Sequence, residues 1–154
     1  MTVHHLDCGC MCPYGGALFD GFSKGIRACL VCHCLLIETA NNGLVLIDTG
    51  LGRQDVAHPE TISPFFRLLN NFQLKDATTA VAQVERLGYH KQDVRHIILT
   101  HLDFDHAGGI RDFPDATVHV TRLEMEQARR GGAGFINRRR FVAEQWNEVK
   151  QWKE

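Results

Sequence analysis

The chain has 154 residues, of which 44% are hydrophobic and 23% charged, and its formal net charge at pH 7 is −1. This length and composition predict one globular domain with a buried core and exclude a disordered chain. The near-neutral charge gives no general attraction to nucleic acid or membrane, so neither is expected as a partner. With no long apolar run and no signal-peptide pattern at the N-terminus, the sequence predicts a cytoplasmic location.

The first predicted elements are three strands, of which the second and third are apolar on both faces. Residues 3–8 predict a first strand, and the glycine-rich residues 9–27 predict a loop. Residues 29–38 predict a buried strand, Asn41-Asn42-Gly43 a tight hairpin turn, and residues 44–48 the returning strand. Because strands that are apolar on both faces need cover on both, this pattern indicates a layered α/β structure.

Six cysteines lie near these strands and leave two interpretations open. They form two groups: Cys8, Cys10, Cys12 and Cys29, Cys32, Cys34. Metal-binding cysteine pairs favour two intervening residues, and only Cys29 and Cys32 have that spacing. We expect mainly small buried thiols, with a redox or second metal site as the alternative. A disulfide framework is not expected in a reducing cytoplasm.

A long connection and a helix follow. Residues 51–76 are unusually apolar for a loop, and a short helix is predicted to begin after Ser63, with Pro64 at its first position. This segment is interpreted either as a flap over an apolar substrate pocket or as a helix packed on the sheet. An amphipathic helix is predicted over residues 77–87, with Gly88 as its stop signal.

The strongest functional signal follows a strand predicted over residues 94–100. Two imidazoles and two carboxylates fall within six positions: His101, Asp103, Asp105 and His106. Residues 107–109, Ala-Gly-Gly, allow the chain to turn directly after them. Alternate residues of an extended chain share a face, so these side chains are expected to converge. Such donors suit a hard or borderline divalent metal, so a metal site is predicted here rather than a polar surface loop.

The last part of the chain predicts a strand and two helices. Residues 116–120 predict a strand, and Thr121-x-x-Glu124 predicts a capping box opening a helix over residues 122–130. Asn137 is predicted to cap a last helix, whose apolar residues are Phe141, Val142, Trp146, Val149 and Trp152. A basic cluster is interpreted as a solvated surface, with anion binding as the alternative: Arg129, Arg130, Arg138, Arg139 and Arg140.

The metal loop resembles a known family signature. Residues 100–109 read THLDFDHAGG, which is similar to the pattern Thr-His-x-His-x-Asp-His-x-Gly-Gly of the metallo-β-lactamase superfamily. Residues 43–50, ending in Asp-Thr-Gly, resemble the strand that carries this tripeptide in the family. Residues 87–98 resemble the helix end and strand that lead into its metal loop. The resemblance spans residues 28–125 and is nearest to lactonases and glyoxalase II-like thioesterases.

The resemblance implies a fold and a reaction. The expected fold is an α/β sandwich of the αβ/βα type, of which residues 1–154 would form a single partial domain, the N-terminal half, with one mixed β-sheet and flanking helices. The implied function is a metal-dependent hydrolase that opens an ester, thioester or lactone bond of a small-molecule substrate through a metal-activated water. Zinc is the expected cofactor, as two ions in the intact family site, with iron or manganese as alternatives.

The resemblance also assigns roles to residues. Asp105 is expected to be catalytic, binding metal and holding the water, while His101, Asp103 and His106 complete the ligands. Asp48, at the end of a predicted strand, is interpreted either as a turn residue or, as the resemblance implies, as a carboxylate that orients groups of the metal loop.

Two departures from the family pattern matter. Asp103 stands where the family has its second histidine, and an additional carboxylate favours iron or manganese beside zinc. The family also takes further ligands from its second half, whereas only His119 follows His106 here. The alternative function is therefore a truncated, catalytically incomplete metal-binding fragment that needs a C-terminal half or a partner chain. In that case the apolar side of the predicted last helix would be exposed and would favour self-association.

Overall fold

Seven strands build one mixed β-sheet in the computed structural model, which describes residues 1–131 and 139–153. The strands are Thr2–Met11 (β1), Leu30–Glu38 (β2), Leu44–Ile47 (β3), Phe72–Gln73 (β4), Val94–Ile98 (β5), Thr117–His119 (β6) and Trp152–Lys153 (β7). Their order across the sheet is β4-β1-β2-β3-β5-β6-β7. Strands β4, β1, β2 and β3 pair antiparallel, whereas β3, β5, β6 and β7 pair parallel. The predicted mixed sheet is confirmed, although β4 and β7 were not predicted.

Six short helices lie between the strands in the described part of the chain: Ala17–Asp20 (α1), Arg53–Ala57 (α2), Pro64–Asn70 (α3), Ala80–Arg86 (α4), Phe104–Ala107 (α5) and Arg122–Arg129 (α6). Helix α3 begins at Pro64, as predicted. Helix α4 is shorter than predicted because the Thr79 hydroxyl oxygen caps its start, accepting a hydrogen bond from Ala82 N. Gly88, with φ 91°, follows its end. No helix in the described ranges is long and apolar enough to cross a membrane.

The β2–β3 hairpin has the turn that its Asn-Asn-Gly sequence predicts. Gly43 adopts φ 69°, a left-handed conformation that glycine takes without steric cost. The Thr39 hydroxyl closes the turn by donating to Gly43 O and accepting from Asn42 N. This turn sets the register in which Leu36 lies opposite Leu46. Both leucines are fully buried, so the register places the apolar residues of both strands on one face.

That face of the sheet carries the main core. Side chains from the strands pack there against helices α4 and α6 and the segment after α5: Leu6, Cys8, Cys34, Leu36, Leu46, Val81, Val84, Ile97, Ile110, Phe113, Val118 and Met125. On the opposite face Val3, Val31 and Ile98 are 42%, 45% and 43% exposed. The helices of this core therefore cover one face, as expected for half of a layered sandwich. The cover predicted for both faces is not formed by the described residues, which leave the opposite face partly exposed.

The cysteines are all free thiols. Cys8, Cys32 and Cys34 are buried, and Cys8 and Cys34 pack in the main core as small side chains. Burial raises the pKa of the Cys32 thiol, with the Asp105 carboxylate adding to the effect. A raised pKa favours the protonated, unreactive form of this thiol, which supports the structural interpretation for Cys32.

Over residues 141–153 the predicted last helix is wrong. Ala143–Gln145 forms a single 3₁₀ turn, and Trp152–Lys153 pairs with β6 as the edge strand β7. Pairing with the sheet has outweighed the local helical pattern of residues 141–152. Trp146 is buried in the core, so the exposed apolar side on which self-association was predicted is not formed. The predicted cap, Asn137, lies outside the described residues.

Candidate metal centre

The predicted metal loop leaves the end of β5 and turns into helix α5. Residues 104–107 are helical, so the expectation of an extended chain through Asp105 is wrong. The Asp103 carbonyl starts the turn by accepting hydrogen bonds from His106 N and Ala107 N, each 2.9 Å long. The helical turn carries Asp105 and His106 back toward His101, so the chain reverses within the motif itself.

The four predicted ligands lie together at the edge of the sheet. The rings of His101 and His106 have centroids 4.0 Å apart. The His101 Nε2 atom lies 3.7 Å from Asp103 Oδ2, and His106 Nε2 lies 3.8 Å from Asp105 Oδ2. All four side chains are partly exposed, between 16% and 32%. The loop thus presents two imidazole–carboxylate pairs to solvent, side by side.

Asp48 connects this loop to the end of β3. Its carboxylate accepts hydrogen bonds from Thr100 N at 2.8 Å, from the Thr100 hydroxyl at 2.7 Å and from His106 Nδ1 at 3.0 Å. Asp48 is only 4% exposed and has φ 56°, a conformation that aspartate tolerates better than most residues. It is therefore not a simple turn aspartate, because its side chain reaches across to the metal loop.

This network determines which imidazole nitrogens are free. The Thr100 hydroxyl uses its one hydrogen to donate a hydrogen bond to Asp48. It must therefore act as the acceptor for His101 Nδ1, which is 2.9 Å away. His106 Nδ1 likewise donates to Asp48. In each neutral imidazole the Nε2 atom is then unprotonated and faces a carboxylate. Fixing the tautomer in this way is how proteins prepare histidine as a metal ligand.

The donor atoms fit a divalent metal. Two ligand atoms that share one tetrahedral zinc at roughly 2.0–2.2 Å lie roughly 3.4 Å apart, close to the two nitrogen–oxygen separations observed. Within residues 1–131 and 139–153, however, no three His, Cys, Asp or Glu side chains converge closely enough to hold an ion as they stand. The loop therefore offers two two-donor sites, and the roles of His101, Asp103, Asp105, His106 and Asp48 in metal binding stay predictions.

Two further residues support the loop and were not predicted to do so. The Glu124 carboxylate of α6 accepts a hydrogen bond from Leu102 N at 2.9 Å. Half of the predicted capping box is formed, since the Thr121 hydroxyl accepts from Glu124 N, but the Glu124 side chain serves the metal loop instead. Arg140 donates from Nε to Asp103 Oδ1 at 2.5 Å, so at this residue the interpretation as a solvated basic surface is wrong. Arg138 lies outside the described residues.

The Asp-Thr-Gly segment after β3 holds α5 in place. Thr49 N and the Thr49 hydroxyl both donate to His106 O at 2.8 Å, and Gly109 N donates back to the Thr49 hydroxyl oxygen at 3.0 Å. Thr49 is fully buried, so these bonds are shielded from water. The segment that follows Asp48 in sequence thus fixes the backbone of His106, while Asp48 fixes its side chain.

We expect His106 in the metal-free protein to titrate above the usual histidine range. Burial lowers its pKa, but the hydrogen bond to Asp48 and the charges of Asp105 and Asp103 outweigh burial and raise it overall. Protonated His106 therefore stabilises the metal-free fold at low pH, and this contribution disappears as the pH rises through the folded-state pKa. Asp48→Asn should lower that pKa, as measured by NMR titration of the imidazole protons in the presence of chelator.

The matched control is Asp76→Asn, which removes a carboxylate charge that pairs with Arg53 instead. It should leave the His106 titration unchanged. A His106 titration that is the same in Asp48→Asn and wild-type protein would show that the Asp48 contact does not set this pKa.

Comparison with known proteins identifies related sequences. Residues 27–146 match the sequence model of the metallo-β-lactamase superfamily. A probable metallo-hydrolase of Mycobacterium tuberculosis is 48% identical over 128 residues, which cover 83% of this chain and 37% of that protein. An N-acyl homoserine lactonase of Bacillus cereus is 33% identical over 98 residues, which cover 62% of this chain and 38% of that protein. The chain thus spans less than two-fifths of the length of these curated relatives.

Solved structures with the same fold are also known. A Bacillus thuringiensis AiiA mutant with N-decanoyl-L-homoserine bound at its active site superposes with a TM-score of 0.74 at 24% identity, over 98% of this chain and 58% of that one. An N-acyl homoserine lactone hydrolase with N-hexanoyl-L-homoserine bound at its catalytic metal centre superposes with a TM-score of 0.72 at 25% identity, with the same coverage. These superpositions confirm the predicted type of fold.

Proposed function

The chain belongs to the metallo-β-lactamase superfamily, and on that premise we propose that it carries the metal-binding loop of a metal-dependent hydrolase acting on an ester, thioester or lactone bond. The observation that carries the proposal is that His101 Nε2 and His106 Nε2 each face a carboxylate oxygen, at 3.7 and 3.8 Å. The hydrogen bonds made by the Nδ1 atoms leave these Nε2 atoms unprotonated in the neutral rings. Such a set of two nitrogen and two oxygen donors suits zinc, and also iron or manganese.

In the proposed mechanism, His101, Asp103, Asp105 and His106 hold the metal. A bound divalent ion would polarise the scissile carbonyl and lower the pKa of a water molecule toward neutrality. Asp105 is placed to accept a hydrogen bond from the attacking water, because its carboxylate is partly exposed beside His106. Asp48 keeps the Nδ1 proton on His106, so that Nε2 remains a donor atom throughout the reaction.

Apolar side chains pack against the one aromatic residue of the metal loop. Phe104, in the metal loop, packs against Phe66 of α3 and Phe72 of β4, with ring centroids 5.3 and 5.6 Å apart. On the same helix as Phe66, the side chain of Leu68 is 80% exposed. Apolar side chains on α3 favour a substrate with a hydrophobic acyl group. The N-acyl homoserine lactonases among the relatives support a lactone as the first substrate class to test.

The second candidate is metal binding without turnover by this chain alone. It is favoured by the absence, in residues 1–131 and 139–153, of three metal-binding side chains that already converge. A metal held by too few protein ligands binds weakly, and a water without strong polarisation is a poor nucleophile. In this case a further polypeptide would supply the remaining ligands.

A hydrolysis assay separates the two candidates. The purified chain is incubated with zinc and with an N-acyl homoserine lactone, a thioester or an aryl ester, with chelator-treated protein as the control. The proposed hydrolase should open at least one substrate above background, lose this activity with chelator and recover it with zinc. Zinc binding without turnover, followed by turnover when the remaining segment of a relative is added, supports the second candidate. Neither binding nor turnover contradicts both.

A further inference from the structure

We propose that Arg140 is a positioning residue of the metal centre, which holds one oxygen of Asp103 and leaves the other directed at His101 for metal binding. This inference rests on the proposed function, because it concerns how the same centre is assembled. It adds to that function a residue that lies 37 positions away in sequence from the carboxylate it contacts. The contacts of Asp103, its backbone position and the charge of the centre all support it.

The two oxygens of Asp103 have different partners. Oδ1 accepts a hydrogen bond from Arg140 Nε at 2.5 Å, and Oδ2 faces His101 Nε2 at 3.7 Å. A carboxylate held by one oxygen cannot rotate freely, so its second oxygen keeps its direction. Hydrogen-bonding partners of this kind orient carboxylate ligands in metal sites. The geometry therefore gives Arg140 control over the position of Oδ2.

Asp103 lies at a position where aspartate usually caps a helix, but its carboxylate does not make the capping hydrogen bond. Asp103 occupies the N-cap of α5, with extended dihedrals of φ −66° and ψ 148°. Aspartate at an N-cap usually accepts a hydrogen bond from an amide in the first turn of its helix. Asp103 makes no such side-chain bond. Its carboxylate points to Arg140 and His101 instead, which is the direction that ligation requires.

The Arg140 guanidinium is also packed against an aromatic ring. Its guanidinium carbon lies 5.1 Å from the centroid of the Phe141 ring, in a cation–π arrangement. Phe141 is partly buried against the main core. The Arg140 and Asp103 side chains are 32% and 21% exposed, so the pair is partly shielded from solvent. A planar guanidinium can satisfy both contacts, whereas a lysine ammonium lacks the planar shape.

The ion pair also sets the charge of the centre. Three carboxylates, those of Asp48, Asp103 and Asp105, lie within 4 Å of the two imidazoles. Arg140 offsets the charge of Asp103, so the pair together is neutral, as a single neutral imidazole would be. If Asp103 were replaced by histidine, the same arginine would place an unbalanced positive charge next to the metal. The effect of removing Arg140 should therefore reverse its sign in that background.

A double-mutant cycle measured by zinc affinity tests this inference. The dissociation constant is measured by competition with a chromophoric chelator for wild type, Arg140→Ala, Asp103→His and the double variant. Arg140→Ala should weaken zinc binding by about 10- to 100-fold in the wild-type background, as loss of an orienting partner does. In the Asp103→His background the same change should strengthen binding. Arg140→Lys should recover part of the wild-type affinity.

Two controls make the outcome specific. Arg95→Ala removes an exposed arginine at the opposite end of β5 and should not change zinc affinity. Circular dichroism identifies any variant that fails to fold, and in that event Arg140→Gln, which removes the charge but keeps a long polar side chain, is measured in the wild-type and Asp103→His backgrounds. With glutamine, as with alanine, weaker zinc binding in the wild-type background and stronger binding in the Asp103→His background are the expected result.

The remaining outcomes test the positioning role of Arg140 separately from the proposed hydrolase function. An unchanged zinc affinity in Arg140→Ala, or an equal loss in both backgrounds, overturns the positioning role and leaves the proposed function standing if zinc-dependent hydrolysis is observed. The sign reversal without any hydrolysis supports the positioning role and counts against the hydrolase. No zinc binding by the wild-type chain overturns both.

Discussion

Replacing Gly50 with alanine is expected to destabilise the protein by about 3 kcal/mol, because the new methyl group adds both backbone strain and a steric clash. Gly50 has φ 62°, a conformation that alanine rarely adopts. A Cβ atom at this position would overlap with Cys8 O and Cys8 Cβ, in a strand that cannot move freely. Gly50 O also accepts a hydrogen bond from Gly109 N, so displacement should disturb the metal loop.

The matched control for this prediction is Gly88→Ala. Gly88 also has a positive φ, 91°, but among the described residues beyond its chain neighbours no atom lies within 4 Å of the position that an added methyl group would occupy. Only the conformational strain should remain, about 1 kcal/mol. Urea denaturation of both variants separates the two contributions. Equal losses of unfolding free energy in the two variants would show that close packing of residue 50 against β1 is not important.

The second large effect is expected on zinc affinity. Asp105→Ala and His106→Ala each remove a proposed donor atom of the centre, so each should weaken zinc binding by at least about 100-fold, more than the loss of an orienting partner. His106→Ala also leaves the buried Asp48 carboxylate without one of its three hydrogen bonds. The zinc content after dialysis and the dissociation constant by chelator competition measure both effects.

An exposed histidine provides the control for these variants. The His58 side chain is 60% exposed and contacts the neighbouring Glu60 carboxylate, in the segment after α2. His58→Ala removes an imidazole of the same kind and should bind zinc like wild type. Wild-type zinc affinity in both Asp105→Ala and His106→Ala would show that the metal binds elsewhere.

Much of the fold follows from local sequence patterns. The Asn-Asn-Gly turn and the apolar runs on each side of it specify the β2–β3 hairpin, and Ser63-Pro64 marks the start of α3. The same patterns fail at the C-terminal end. Residues 141–152 have a helical spacing of apolar residues, but Trp152 pairs with Val118 in a parallel ladder. Such pairing depends on residues that are distant in sequence, so the local spacing of apolar residues cannot predict it.

In the candidate site too, some features follow from local sequence and others depend on residues distant in sequence. Its donor residues could be found from sequence because His101, Asp103, Asp105 and His106 are close together and follow a buried strand. Their supports could not be found in this way. Glu124 obeys a local capping pattern, yet its carboxylate accepts from Leu102 N, because a loop amide near the core also needs a partner. Arg140 was one of several arginines, and nothing local distinguishes it.

If the loop over residues 101–106 binds a divalent metal, anomalous X-ray scattering will locate the ion in this loop. Crystals of the protein soaked in zinc are measured on both sides of the zinc absorption edge. We expect an anomalous difference peak between the imidazole and carboxylate groups of this loop, with His106 Nε2 and a carboxylate oxygen of Asp105 among the nearest atoms. A peak at the cysteines of β1 and β2, or no peak within reach of these side chains, would contradict it.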